Sequence, residues 1–358
     1  MTELSARDAQ SPSSRLPTHS ITIPPSVPMV ALLGPGDQLL VTIEREFPAV
    51  DVHVRGNELT LRGRSADVAT VERLVDELLE MLDAGQLLTK DAVERSIAML
   101  RARTAERPAD VLTLNIVSNR GRTIRPKTVG QKRYVEAIDL HTVVFGIGPA
   151  GTGKTYLAMA KAVAALQSKR VNRIILTRPA VEAGERLGFL PGTLSDKIDP
   201  YLRPLYDALH DMVDPDSIPR LIASGTIEVA PLAYMRGRSL NDAFIILDEA
   251  QNTSAEQMKM FLTRLGFGSK MVVTGDVTQV DLPSGTRSGL RHVREILGDL
   301  EDIHFAELTS QDVVRHKLVS AIVDAYARAD AREAGARADE EARGRHTPRH
   351  AARGANPR

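Results

Sequence analysis

The stretch Gly148-Pro149-Ala150-Gly151-Thr152-Gly153-Lys154-Thr155 limits what this chain can fold into more than any other. It follows an apolar run, Thr142-Val143-Val144-Phe145-Gly146-Ile147, and precedes Tyr156 to Leu166, a segment rich in Ala, Leu and Met. Strand, glycine loop and helix in that order, with the spacing G-x-x-x-x-G-K-[ST], form a phosphate-binding loop. Glycines let successive backbone N–H groups converge on phosphate oxygens, and the helix start adds its positive dipole end. Lys154 is expected to reach the β and γ phosphates, and the Thr155 hydroxyl to ligate Mg²⁺. A buried strand feeding a helix in this way predicts an α/β fold built on a parallel sheet.

Other apolar runs end in polar residues that suit the same site. Ala243-Phe244-Ile245-Ile246-Leu247 leads into Asp248-Glu249-Ala250-Gln251, Arg173 to Thr177 leads to Arg178, and Met271 to Thr274 leads to Gly275-Asp276-Val277-Thr278-Gln279. Ligands of open α/β sheets gather beyond the carboxyl ends of the strands. Asp248 is therefore expected on the metal, Glu249 as the base that polarises an attacking water, and Gln279 as the amide that senses the γ-phosphate.

Composition narrows the alternatives. The absence of cysteine excludes disulfide frameworks, zinc ribbons and thiol catalysis. Equal numbers of basic and acidic side chains, 46 of each, leave no global field to attract nucleic acid or membrane. No apolar run approaches the ~18 residues of a membrane-spanning helix, and the first residues lack a secretory pattern. The expectation is a cytoplasmic protein with no membrane partner.

Around the loop, the chain divides by pattern. Residues 1–20 are rich in Ser, Pro, Asp and Arg and read as a disordered leader. Residues 21–84 carry the order strand, helix, helix, strand, strand, helix, with alternating Val50, Val52 and Val54, a Gly56-Asn57 turn and an amphipathic helix through Val68, Val71, Leu74, Val75 and Leu78. This segment resembles a KH domain, an RNA-binding module that clamps the nucleotide backbone with a Gly-x-x-Gly loop. Its loop reads Gly34-Pro35-Gly36-Asp37, and a carboxylate in the last place favours partner docking over RNA clamping. Residues 85–122 read as a helix (Thr89 to Ala105) and a basic linker. No acid lies between Asp110 and Glu136, while Arg120, Arg122, Arg125, Lys127, Lys132 and Arg133 do; solvated linker and nucleic-acid contact both fit such a run. Residues 328–358 read as a disordered Arg-rich tail.

The Gly-Lys-Thr, Asp-Glu-Ala-Gln and Gly-Asp-x-x-Gln set resembles the ATP core of superfamily 1 helicases. The chain resembles the PhoH family, bacterial cytoplasmic P-loop ATPases, more closely. The stretches that carry this are Gly130-Gln131-Lys132-Arg133-Tyr134, Gly148 to Thr155, Thr177-Arg178-Pro179-Ala180-Val181, Phe189-Leu190-Pro191-Gly192, Asp248-Glu249-Ala250-Gln251-Asn252 and Asp312-Val313-Val314-Arg315-His316. The resemblance spans residues 123–327 and implies a RecA-like P-loop domain, use of ATP and Mg²⁺, a ring-like homo-oligomer such as a hexamer, and RNA metabolism beside an rRNA-maturation endoribonuclease. It also places Gln131 where helicases carry an adenine-reading glutamine. Some relatives carry a PIN-type nuclease domain, but no acidic cluster in the flanks suggests one here. Too few residues follow Gln279 for the second RecA-like domain that supplies an arginine to the transition state in helicases. A neighbouring subunit, or Arg315 folding back, is expected to supply it; Arg178, Arg236, Arg238 and Arg287 are further candidates. Two functions stay open: an ATPase that remodels RNA, and a nucleotide-gated module that docks RNA or an endoribonuclease with incidental hydrolysis. Transfer of phosphate to a small acceptor lacks a pocket signature.

Overall fold

The fold was obtained as a computed structural model that describes residues 17–179, 194–283, 285–315 and positions 318, 319, 322 and 325. Most of the expected leader, the Phe189-Leu190-Pro191-Gly192 stretch and the tail from 328 lie outside the described residues. The chain forms two compact units, Met1–Val313 and Val314–Arg358, and the first of them contains every described strand.

That first unit begins with the expected order of elements: β1 (Thr18–Thr22), α1 (Met29–Leu33), α2 (Gln38–Glu46), β2 (Val50–Arg55), β3 (Glu58–Gly63) and α3 (Ser65–Asp83). The strands make an antiparallel sheet in the order β1-β3-β2. Gly56 takes φ 64° at the first central position of the β2–β3 turn, where a type II′ turn requires glycine. In the Gly34–Asp37 loop, Asp37 takes the left-handed conformation at φ 58° and leads into α2.

The segment expected as helix and linker is largely structured and belongs to two cores. α4 (Lys90–Ala102) and α5 (Pro108–Leu112) bury Val93, Ile97, Leu100, Val111 and Leu112 against α3. Glu77, buried on α3, accepts from Arg107 Nε at 3.0 Å and from Ala109 N at 2.8 Å, capping the start of α5 from outside the helix. The N-terminal core thus runs to Leu112 rather than ending near residue 84. β4 (Val117–Asn119) and β5 (Arg122–Ile124) then form a hairpin whose Val117 and Ile124 pack into the core of the large sheet.

The large sheet and its helices comprise α6 (Val129–Leu140), β6 (Val143–Ile147), α7 (Lys154–Gln167), β7 (Arg173–Arg178), α8 (Leu194–Met212), α9 (Ile218–Ala223), β8 (Ile227–Pro231), β9 (Ala243–Leu247), α10 (Ala255–Leu262), β10 (Lys270–Gly275), α11 (Gly289–Leu297) and β11 (Ile303–Glu307). Six parallel strands lie in the order β11-β6-β10-β9-β7-β8. Alternate residues of each strand face opposite layers. Val144, Ile174, Ile246 and Val272 pack with Leu157 and Val163 of α7. Phe145, Ile175, Ile245 and Val273 pack with Met258 and Phe261 of α10 and Leu290 of α11. Both faces are covered, which is why the inner strands β6 and β9 are continuously apolar. Each such side chain contributes about 1.5–3 kcal/mol on burial. In α7, Ala158, Ala160 and Ala162 are fully buried, and side chains that small let the helix axis lie close to the strands. Among the described residues, no helix is long and apolar enough to cross a membrane.

Candidate nucleotide site

β6 ends at Ile147, and the glycine loop turns the chain into α7, whose first residue is Lys154. Gly151 and Gly153 take φ 84° and 78°, conformations that a side chain would strain. Gly148 is constrained by space: a Cβ there would sit 2.4 Å from the Leu308 carbonyl oxygen. Within the loop, Thr152 Oγ1 donates to Pro149 O at 2.9 Å. Lys154 Nζ folds back on the loop, donating to Gly148 O at 2.6 Å and Pro149 O at 2.8 Å. Ala150 lines the cavity that the loop encloses.

Tyr134 of α6 supports the loop from below. Its side chain is fully buried, and its hydroxyl donates to Lys154 O at 3.2 Å. Burial first, and the Asp248 charge second, hold this phenol far above its ordinary pKa, so it remains a neutral donor. Gly146 of β6 gives the ring its room, since a Cβ there would meet ring atoms at 2.7 to 2.8 Å.

Strand register brings the acids to the loop. β10 lies between β6 and β9, with Gly275 level with Ile147 and Val273 level with Leu247. Asp248, one residue past β9, thereby meets Thr274: Thr274 Oγ1 donates to Asp248 Oδ1 at 2.9 Å, and Thr155 Oγ1 to the same oxygen at 2.6 Å. Glu249 takes φ 52°, in the left-handed region that favours glycine. Its Oε1 lies 3.1 Å from Arg178 Nη2, and its Oε2 accepts from Gln251 Nε2 at 2.5 Å. Lys154, Thr155, Asp248, Glu249 and Gln279 line one cavity of about 250 Å³.

Whether this donor set suits Mg²⁺ is decided by its chemistry. A hydroxyl and a carboxylate, both hard oxygens, share one corner of the cavity. Among the described residues, no group of three His, Cys, Asp or Glu side chains could cage a metal alone. Mg²⁺ is commonly held by one or two carboxylates plus substrate phosphates, with waters completing the octahedron, so these residues fit it.

Gln131 is placed differently from its expected role. It is buried, its Oε1 accepts from Lys127 N at 2.7 Å, and its Nε2 donates to Thr152 O at 3.0 Å. A further bond from Nε2 reaches Asp312 O at 3.4 Å. With three backbone partners, the Gln131 amide braces the underside of the loop. Asp312 is buried beside it, accepting from Thr128 Oγ1 at 2.5 Å and Thr309 N at 2.8 Å. Its carboxylate lies where a side chain on Gly130 would be.

The arginine candidates scatter. Arg238 is held by both oxygens of Glu228, at 2.6 and 2.7 Å, and this pairing drives the Glu228 carboxyl below its usual range. Arg236 and Arg287 are exposed, and Arg315 belongs to the unit Val314–Arg358. The basic run is also committed within the chain. Arg120 pairs with Asp214, Arg122 with Asp211 at 3.5 Å, Lys127 with Asp91 at 3.8 Å, Lys132 with Glu136, and Arg133 with Glu106 at 2.7 Å. Arg125 donates to Asn115 Oδ1 at 2.6 Å. Carboxylates from other segments pair with Arg120, Arg122, Lys127 and Arg133 of what looked like a basic linker, and the hairpin brings Arg120 and Arg122 to Asp214 and to Asp211 of α8. Sequence reasoning missed Tyr134 and Thr274 as parts of the site. Only the second had a local signal, a hydroxyl closing an aliphatic strand.

Comparison with known proteins shows what the whole chain is similar to. A PhoH-like protein from Mycobacterium bovis is 71% identical over 309 residues, covering 86% of this chain and 87% of its own. One from Bacillus subtilis is 50% identical, covering 83% and 93%. Protein PhoH of Escherichia coli is 44% identical over 205 residues, covering 57% and 58%. Among solved structures, the Pif1 helicase from Candida albicans aligns at a TM-score of 0.29 and 14% identity, covering 55% of this chain and 42% of its own. That value is too low to carry an argument. The PhoH-like protein family matches residues 123–327, and by this match and these relatives the chain belongs to it.

Proposed function

We propose that this chain is an Mg²⁺-dependent ATPase that works in RNA metabolism as a cytoplasmic homo-oligomer. The observation that supports hydrolysis is the convergence of Lys154, Thr155, Asp248, Glu249 and Gln279 on one cavity, with Thr155 and Asp248 bonded at 2.6 Å.

Each residue has its own part in the reaction. Loop N–H groups and the start of α7 hold the β-phosphate. Lys154 leaves its carbonyl partners and turns its ammonium onto the β and γ oxygens, where it stabilises the charge that builds during transfer. Glu249 accepts a proton from the water that attacks the γ-phosphorus in line, and Gln279 donates its amide to a γ oxygen. Thr155 and Asp248 are the residues that would hold Mg²⁺, which supplies neutralising charge on the phosphates.

The roles in RNA metabolism and assembly rest on the family resemblance. Much of the 120–133 run is paired with carboxylates, which favours the tail for any RNA contact, with five arginines and no acid in its last sixteen residues. A transition-state arginine, Arg315 being the first choice, would come from a neighbouring subunit. Phosphate release measured with and without single-stranded RNA, alongside sedimentation, tests these points. The expected result is Mg²⁺-dependent turnover that RNA raises, in an oligomer. Full turnover by a monomer would contradict the shared site, and turnover indifferent to RNA would favour the gated docking module.

A further inference from the structure

We infer that Arg178 is a positioning residue that acts through Glu249. The inference deepens the proposed function and rests on the reading that the chain hydrolyses ATP.

Glu249 is held from two sides. Arg178, the last residue of β7, reaches its Oε1 at 3.1 Å. Gln251 reaches its Oε2 at 2.5 Å, and Gln251 is itself buried, with its Oε1 accepting from Asp276 N at 3.1 Å. The tips of β7, β9 and β10 are thereby wired together across one carboxylate. The backbone at Glu249 adds to this, since φ 52° is a conformation that the surrounding bonds must hold in place.

A carboxylate offers about four lone-pair sites. One donor on each oxygen leaves acceptor capacity on both, and the group still lines the cavity with Lys154 and Gln279. The clamp therefore restricts the direction of the carboxylate without consuming it. Displacing a reacting group by about 1 Å costs on the order of 10²-fold in rate, so a restraint of this kind is worth turnover rather than affinity. The same contact commits the Arg178 guanidinium to the acid of its own site.

The test uses the full chain with Arg178→Ala and Arg178→Lys, each made alone and with Glu249→Gln. Steady-state and single-turnover phosphate release are read beside equilibrium binding of a fluorescent ATP analogue. Arg178→Ala is expected to lower kcat about tenfold or more with binding within about twofold, and Arg178→Lys to recover much of the loss. In the Glu249→Gln background, Arg178→Ala should add no further loss, because residues acting as a unit are non-additive. Unchanged or raised kcat in Arg178→Ala, weakened analogue binding, or an equal loss in the Glu249→Gln background would overturn the inference. Wild-type chain that binds the analogue but releases no phosphate would overturn the hydrolysis reading itself, which these variants then cannot mimic.

Discussion

Glu249→Gln is expected to reduce single-turnover phosphate release by about 10²–10⁴-fold while leaving affinity for magnesium-loaded ATP within about twofold. The substitution keeps shape and one acceptor oxygen but removes the ability to take a proton. Both holding contacts bear on the outcome. An amide oxygen can still accept from Gln251 or Arg178, so the side chain should stay near its place. The loss is therefore chemical rather than structural. A variant that keeps more than a tenth of wild-type turnover would remove Glu249 from the role of base. The same variant separates the two functional readings. A remodelling ATPase bearing it should bind ATP yet lose its cellular role, whereas a nucleotide-gated docking module should retain or strengthen partner binding.

Tyr134→Ala is expected to destabilise the fold by about 3–5 kcal/mol, the range for deleting a fully buried aromatic ring. For a domain of this size that corresponds to a melting temperature lowered by about 10 °C. The ring fills the space that Gly146 leaves open beneath β6. Tyr134→Phe keeps the ring and loses only the bond to Lys154 O, for which about 0.5–1.5 kcal/mol is expected. Thermal melts followed by circular dichroism check both. An alanine variant melting within about 2 °C of wild type would mean that the ring does not support the loop.

What could be read from the sequence was local. The glycine loop carries its own spacing, and the strands ending in Arg178, Leu247 and Gly275 contain apolar runs long enough to be recognised, because a sheet covered on both faces needs no polar alternation. β11 escaped notice because Ile303-His304-Phe305-Ala306-Glu307 lies at the sheet edge and mixes polar with apolar residues. The basic run misled because its partners, Asp211, Asp214 and Glu106, are remote in sequence or sit before the run begins, and only folding brings them together. Gln131 misled for a related reason. Its amide type suits base reading, while its bonds to the backbone of Lys127, Thr152 and Asp312 come from tertiary placement. The Arg178–Glu249 pair joins the tips of two adjacent strands, β7 and β9, whose pairing no local pattern announces.

Titration calorimetry with magnesium-loaded ATP, run on the wild-type chain and on Lys154→Ala, bears most directly on the proposed convergence of loop, lysine and strand-tip acids on a triphosphate. Saturable heat at one site per chain, dependent on Mg²⁺ and weakened at least about tenfold by the substitution, is the predicted result, as charge-assisted bonds to phosphate are the strongest available there. No heat from the folded wild-type chain, or equal binding by both proteins, would contradict it.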